Sequence, residues 1–343
     1  MEENVGLISL NNGGTMGHMV ALTSLAKELT KIFPLKKFYI ISEYDYKSYS
    51  PIQGKNISYI QIPQQIHKKS GAGCMEYNSQ ENILNLVKEN NLKILIFSTF
   101  FDPRLIKEVK KEGVKCILVN NPLRDTHNEI FKYKKFSTLF DSIYILKDFI
   151  SDKGNGKVVS PLLRFHSLKR KRKKFTILVT CGGGGRPSAE KFFELVVPAL
   201  NKILAENKNI NVIISKGQSK KLDMIPAKVV SWIKNIESEL QNADLLISEA
   251  GYFTLSDCIS TGTPAILIPG DRRIDNQELR ALEFERKKCG FFVFHYEEEL
   301  FYERLSHLIK DQKKLKEFRK NLLSLRKDYL KQKNIVDHLT KEI

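Results

Sequence analysis

The sequence has few cysteines and none in a metal-binding spacing. Five are scattered along 343 residues, and no two form a C-x-x-C pair: Cys74, Cys116, Cys181, Cys258 and Cys289. A disulfide framework and a zinc cluster are therefore not expected. Scattered thiols are typical of a protein that folds in a reducing compartment.

Long hydrophobic runs are also missing. The longest apolar stretches, such as residues 94–101, are far shorter than the roughly 20 residues that a membrane-spanning helix needs. The first residues carry acidic side chains and no basic region, which argues against a secretory signal. We therefore expect a cytoplasmic protein that can lie peripherally on the inner face of a membrane.

Negative charge is in short supply. The 56 Lys and Arg residues outnumber the 39 Asp and Glu residues, so the formal net charge is +17. The densest basic run consists of Lys169, Arg170, Lys171, Arg172, Lys173 and Lys174. This run is either a solvated linker or a patch for an anionic membrane surface. Nucleic acid ranks last as a partner because no RNA-binding aromatic motif or zinc finger accompanies the run.

What the sequence does contain is a regular alternation of short apolar runs with amphipathic segments. The run at residues 5–10 precedes a helical pattern over residues 19–32, and the alternation starts afresh at Phe175. Continuous apolar strands separated by helices indicate parallel sheets covered on both faces. The length fits two domains, and we predict two doubly wound α/β units joined near residues 160–174.

Each half opens with a strand, a glycine-rich turn and a helix. The first turn contains Gly13, Gly14, Thr15 and Gly17, and the second contains Gly182, Gly183, Gly184 and Gly185. Glycine allows close backbone approach, and a helix N-terminus favours phosphate. Glycine also serves ordinary tight turns, and neither loop is a P-loop or a clean G-x-G-x-x-G motif, so both interpretations stay open.

Three polar positions have both a chemical and a structural interpretation. His18, at the start of the first helix, could be a general base whose protonation the helix dipole disfavours, or it could cap or pack. Thr254 and Asp257 resemble a capping box, although Asp257 could instead accept hydrogen bonds from a ribose diol. Asn276 and Gln277 suit sugar hydroxyls, or they are polar residues that begin an exposed helix.

Taken in chain order, four segments resemble glycosyltransferase family 28, the family of the MurG-like N-acetylglucosaminyltransferases. They are GGTMGH at residues 13–18, SPLLR at 160–164, ADLLISEAGYFTLSDCISTGTPAILIP at 243–269, and DNQ at 275–277 followed by Ala281. The resemblance implies a GT-B fold, in which two Rossmann-like domains face each other. An acceptor-side domain would cover residues 1–160, a nucleotide-sugar domain residues 161–325, and a helix over 326–343 would return to the first domain.

The resemblance also implies the roles of individual residues. The donor would be a UDP-sugar, with Arg164 and the glycines 182–185 near the pyrophosphate, Ile233 at the base and Asp257 at the ribose. The phosphate turn would comprise Gly251, Tyr252, Thr254 and Leu255, preceded by Glu249 where the family commonly has arginine. Asn276 and Gln277 would hold the sugar, and His18 would be the base or an acceptor-side group.

Two departures from the family pattern bear on the substrates. Arg280 stands where the family usually has asparagine, and residues 98–102 replace a second glycine-rich loop that helps define the peptidoglycan acceptor. We therefore expect another lipid-linked or free acceptor. The chain contains no D-x-D triplet, so no metal or other cofactor is expected. Arg164, helix N-termini and backbone amides would stabilise the leaving diphosphate.

The leading interpretation is an inverting transferase that moves N-acetylglucosamine or another hexose from UDP to an acceptor hydroxyl at the membrane surface. A nucleotide-sugar hydrolase or epimerase on the same scaffold is one alternative, in which His18 activates water or moves a proton. A non-catalytic protein that binds a nucleotide sugar is the other.

Overall fold

A computed structural model describes residues 3–10, 16–43, 55–63, 68–70, 74–76, 80–98, 101–120, 137–148, 157–164, 174–184, 186–219, 222, 225–271 and 275–343. The chain divides into two compact units. Unit 1 comprises Met1–Leu162 and Gln332–Ile343, and unit 2 comprises Leu163–Lys331. No helix in the described part of the chain is long and apolar enough to cross a membrane.

Unit 1 is built on a parallel sheet of seven strands in the order β3-β2-β1-β6-β7-β8-β9. These strands are β1 Asn4–Ser9, β2 Phe38–Ser42, β3 Ile57–Gln61, β6 Leu92–Ser98, β7 Lys115–Asn120, β8 Ser142–Leu146 and β9 Lys157–Val159. A short antiparallel pair, β4 Lys68–Ser70 and β5 Cys74–Glu76, lies apart from it. The helices of this unit are α1 Met16–Ile32, α2 Gln80–Glu89, α3 Pro103–Lys111 and, near the chain end, Ile335–Leu339.

The apolar runs of unit 1 become strands because both faces of the sheet are covered. Val5, Leu7 and Ile8 of β1 are fully buried, as are Ile96 and Phe97 of β6. A strand that is buried on both faces has no polar alternation, so a continuous apolar run is what such a sheet requires.

Unit 2 repeats this design with six parallel strands in the order β12-β11-β10-β13-β14-β15. They are β10 Phe175–Thr180, β11 Ile210–Ser215, β12 Lys228–Val230, β13 Leu245–Ser248, β14 Ala265–Leu267 and β15 Gly290–Phe292. The helices are α4 Pro187–Glu206, α5 Ile236–Asn242, α6 Tyr252–Thr261, α7 Gln277–Arg286, α8 Glu298–Lys310 and α9 Gln312–Leu330. Helix α4 covers one face with Phe192, Val196, Leu200 and Ile203, all at most 1% exposed.

The chain end differs from the single helix expected over residues 326–343. Helix α9 ends at Leu330, and a separate short helix, α10, covers Ile335–Leu339. Asn334 separates the two because its side chain caps α10, accepting hydrogen bonds from Val336 N and Asp337 N. The last residues are tied into unit 1: Glu342 pairs with Lys115 at 2.7 Å and accepts from Tyr144 Oη at 2.6 Å. Burial alone would raise the pKa of Glu342, but these hydrogen bonds lower it to about 2.

Candidate functional site

The second glycine turn lies at the carboxyl end of β10, where parallel sheets bind ligands. Gly182 and Gly184 adopt φ angles of +70° and +66°, which side-chain-bearing residues rarely reach. A Cβ on Gly184 would lie 2.5 Å from Lys216 O, whereas a Cβ on Gly182 would meet nothing within 4 Å. Gly183 O accepts from Gln218 N at 2.9 Å. Gly184 is therefore required by the neighbouring turn, and Gly182 leaves open space. Gly185 lies outside the described residues.

The turn after β13 begins helix α6 earlier than expected. The helix starts at Tyr252 with Gly251 as its N-cap, so the predicted Thr254–Asp257 capping box is wrong. Because glycine has no side chain, no side chain of the N-cap residue competes for the first N–H groups of the helix. Tyr252 is 9% exposed and Leu255 only 1%, so the Leu255 side chain belongs to the core. What this turn presents to a ligand is the start of the helix backbone.

Asp257 has a protein partner that the sequence did not indicate. Its carboxylate accepts from Arg164 Nε at 2.9 Å and also from Arg164 Nη2. The side chains are 13% exposed for Arg164 and 8% for Asp257. Burial raises the pKa of Asp257, and the Arg164 guanidinium opposes that rise. The residues expected at the pyrophosphate and at the ribose thus form one buried ion pair.

The segment that begins α7 holds the neighbouring loop in place. Gln277, 4% exposed, accepts from Gly270 N through its Oε1 at 2.9 Å. Asn276 is the N-cap residue, but its side chain makes no capping hydrogen bond. The expectation that these two residues simply begin an exposed helix therefore does not hold for Gln277.

Arg280 is the residue that sequence reasoning undervalued. It is completely buried, and it donates to Ala250 O and to Asp275 Oδ1, each at 2.9 Å. Its guanidinium also lies 5.9 Å from the centre of the Tyr252 ring. Arg280 thereby connects the turn that starts α6 with the segment that starts α7. The only sequence signal was its departure from the family's asparagine.

The remaining donor-side residues lie along the same edge of the unit 2 sheet. Glu249 directly follows β13 and is 5% exposed, and Ile233 follows β12 and is half-buried. A cavity of about 380 Å³ opens at this edge between the start of α4 and the loop after β14, with Arg186, Lys191 and His295 in its lining. Within the described residues, no group of three or more potential ligands could hold a metal ion.

In unit 1, His18 is in the first turn of α1, and its Nδ1 lies 3.2 Å from Ser98 Oγ at the end of β6. Gly17, expected in the loop, is the second residue of this helix. Gly13, Gly14 and Thr15 of that loop and Lys169 to Lys173 of the basic run lie outside the described residues. Lys174 directly precedes β10 and is exposed.

Glu43 is a further polar residue at this edge of unit 1 that sequence reasoning missed. It follows β2 directly and is 2% exposed, and burial raises its pKa to about 7. An acidic residue directly after the short segment FYIIS of residues 38–42 was the signal available in the sequence.

Comparison of the sequence with known proteins identifies relatives of this chain. Residues 176–336 match the model of the glycosyltransferase family 28 C-terminal domain. A UDP-N-acetylglucosamine–N-acetylmuramyl-(pentapeptide) pyrophosphoryl-undecaprenol N-acetylglucosamine transferase of Rickettsia bellii is 28% identical over 159 residues, which are 42% of this chain and 44% of that protein. A processive diacylglycerol beta-glucosyltransferase of Bacillus licheniformis is 34% identical over 101 residues, 29% of this chain and 24% of that protein. The matched stretches thus span less than half of both relatives.

The similarity to solved structures extends over nearly the whole chain. The crystal structure of MurG from Acinetobacter baumannii has a TM-score of 0.62 and 15% identity and covers 94% of each chain. At this identity the likeness shows the fold alone. The predicted α/β architecture of GT-B type is confirmed, and so is the resemblance to family 28.

Proposed function

We propose that this chain, a MurG-like GT-B glycosyltransferase with a family 28 C-terminal domain over residues 176–336, moves a sugar from a UDP-sugar to an acceptor hydroxyl. The observation that carries the proposal is the edge of unit 2 at which the glycine turn, the start of α6 and the start of α7 come together. These are the segments in which the sequence resembles the family's donor site.

The donor diphosphate would lie against the start of α6 and the turn at Gly182. An uncharged helix start with backbone N–H groups directed outward attracts phosphate, and Gly182 leaves room for close approach. No metal enters this proposal, because backbone dipoles aimed at the developing charge can stabilise a leaving diphosphate. Asn276 and Gln277 would face the sugar, and the sugar would be N-acetylglucosamine or another hexose.

The acceptor would be activated by His18 in unit 1. A neutral imidazole near a helix N-terminus can take the proton of an attacking hydroxyl, because the helix dipole disfavours its protonated form beforehand. Attack on the face of the sugar opposite the leaving diphosphate inverts the anomeric centre. The two curated relatives act, by their names, on an undecaprenol-linked and a diacylglycerol acceptor. With a net charge of +17, we propose a lipid-linked or anionic acceptor at a membrane surface.

Product analysis with a panel of UDP-sugars tests this proposal. The full chain is incubated with each donor, with and without lipid acceptors, and free sugar and glycosylated product are measured separately. We expect product only when acceptor is present, and we expect His18→Gln to reduce its formation by a factor of about 100 or more. Free sugar released without acceptor would instead identify a hydrolase. Donor binding without any turnover would identify a binding protein.

A further inference from the structure

One completely buried arginine links the two segments of unit 2 that the donor would contact. Arg280 belongs to helix α7, and its Nη1 donates to Ala250 O at 2.9 Å, just before the start of α6. Its Nη2 donates to Asp275 Oδ1 at 2.9 Å. A guanidinium only donates and a carbonyl oxygen only accepts, so the direction of the bond to Ala250 is fixed.

The carbonyl that receives Arg280 belongs to the peptide between Ala250 and Gly251, and Gly251 is the N-cap residue of α6. This peptide is trans, because the described part of the chain contains no cis peptide bond. In a planar trans peptide the C=O and the following N–H point in opposite directions. While Arg280 holds Ala250 O, the N–H of Gly251 is therefore directed away from the buried guanidinium.

The N–H of Gly251 is available to a ligand. Within the described residues it donates to no acceptor. Gly251 is partly exposed. A Cβ placed on it would have, apart from its chain neighbours, only Thr254 Oγ1 within 4 Å, at 3.5 Å. There is thus room beside this N–H for an atom of a ligand.

The stability of unit 2 alone gives no reason for an arginine at position 280. Apolar side chains of similar volume often serve a protein interior as well as a buried ion pair does. A charged donor, however, makes a stronger hydrogen bond than a neutral one and polarises the peptide that accepts it. The N–H on the other side of that peptide then becomes a better donor to an anion.

We infer that Arg280 is a positioning residue that directs the N–H of Gly251 at the diphosphate of the donor by holding Ala250 O. Arg280 is buried and acts through this peptide. Its second partner, Asp275, directly precedes the N-cap residue of α7, so the same guanidinium also fixes the spacing between the starts of α6 and α7. The inference rests on the proposed function for the identity of the anion. The orientation of the peptide is a property of the unliganded protein.

Nuclear magnetic resonance of the full chain can follow the Gly251 amide selectively. An alanine precedes a glycine at only two places in the sequence, Ala72–Gly73 and Ala250–Gly251. Labelling the alanine carbonyls with carbon-13 and the glycine amides with nitrogen-15 therefore gives two coupled signals, and Gly73→Ser identifies the other one. We expect UDP to move the Gly251 amide proton downfield, and we expect uridine, which carries no phosphate, to move it little.

Two substitutions of Arg280 test its part in this response. Arg280→Met removes the donor at similar length, and we expect it to weaken UDP binding at least about tenfold, to leave uridine binding unchanged and to reduce the Gly251 shift at saturating UDP. Arg280→Lys keeps the charge but loses the fork that spans both partners, so it should weaken UDP binding only about threefold.

The matched control is Arg286→Ala, since Arg286 is an arginine of the same helix whose side chain is 76% exposed. It should retain both the Gly251 shift and the affinity for UDP. Fluorescence of Trp232 during urea unfolding verifies that each variant is folded, because Trp232 is the only tryptophan and belongs to unit 2.

Three results would overturn the inference. The first is a Gly251 signal that does not move at saturating UDP in the unmodified chain, a result that depends on no variant. The second is a UDP affinity that neither Arg280→Met nor Arg280→Lys lowers. The third is an equal loss of affinity for UDP and uridine in these variants, which would indicate a merely structural role for Arg280.

The same data separate the inference from the proposed function. A chain that turns over no UDP-sugar, but whose Gly251 amide responds to UDP only while Arg280 is present, would count against the proposed function and support the inference. Turnover of a UDP-sugar with a Gly251 amide that does not respond would do the reverse. A full chain that binds no UDP would overturn both.

Discussion

Breaking the buried pair of Arg164 and Asp257 should destabilise unit 2 strongly. Both side chains are at least 87% buried, and two hydrogen bonds join them. Removing one partner leaves the other charge buried without compensation, which costs about 3–5 kcal/mol in such pairs. We expect Arg164→Ala and Asp257→Ala each to lower the free energy of unfolding by about 3 kcal/mol. The double variant should lose less than the sum of the two.

Trp232 gives a direct measurement of this loss. It is the only tryptophan of the chain, and it belongs to unit 2. Urea unfolding followed by its fluorescence should show a midpoint lower by about 1.5 M for each single variant, if m is about 2 kcal/mol/M. Arg286→Ala is the control, because Arg286 pairs with Glu283 on the surface with its side chain 76% exposed. Its midpoint should change far less.

The pH dependence of the Arg164→Ala variant adds an independent check. Without the guanidinium, the pKa of Asp257 in the folded protein should rise further above its value in the unfolded chain. A raised pKa contributes stability at low pH that is lost as the pH rises. The defect of Arg164→Ala should therefore be smaller at pH 5 than at pH 8. A defect below about 1 kcal/mol, additive single variants, or a defect equal at both pH values would refute the buried-pair reasoning.

Three further predictions concern a pH effect, the glycine turn and the nucleotide. Burial raises the pKa of Glu43 to about 7, so the folded protein should be most stable where this carboxyl is protonated. Between about pH 4.5 and 7 the free energy of unfolding should fall by up to about 3 kcal/mol. Thermal melts of Glu43→Gln should not show this fall. Gly182→Ala should weaken UDP binding in calorimetry and lower the free energy of unfolding by about 1 kcal/mol. Gly184→Ala should destabilise unit 2 more, because its Cβ would lie 2.5 Å from a carbonyl oxygen. Equal losses of stability in the two variants would contradict this prediction. Because Arg164 already donates two hydrogen bonds to the Asp257 carboxylate, UDP and 2′-deoxy-UDP should bind with dissociation constants within about tenfold of each other. A larger preference for UDP would favour the ribose role of Asp257.

The sheets were predictable from the sequence because their signal is local. A strand buried on both faces, such as β1, β6, β10 or β13, needs a continuous apolar run, and each of these runs is visible without a structure. The start of α6 was misjudged because Thr254 suits an N-cap by residue type, but the turn after β13 already begins the helix at Tyr252. A side chain that suits a cap does not decide where the chain turns.

The contacts within the candidate sites were not predictable, because they join distant segments. The guanidinium of the buried Arg280 donates to Asp275 and to the carbonyl of Ala250, which lies 30 residues earlier in the chain. Ser98 meets His18 only because β6 pairs with β1. Sequence patterns indicated which residues can bind a ligand or transfer a proton, and the sheet pairings determine which of these residues contact each other.

Binding of the sugar nucleotide by unit 2 can be measured by calorimetric titration of the full chain with UDP-N-acetylglucosamine and other UDP-sugars. We predict that at least one UDP-sugar binds. Because Gln277 would face the sugar, Gln277→Ala should lower the affinity for that UDP-sugar and leave the affinity for UDP nearly unchanged. No binding of any UDP-sugar, or equal losses of affinity for UDP-sugar and UDP in Gln277→Ala, would contradict donor binding at this edge of unit 2.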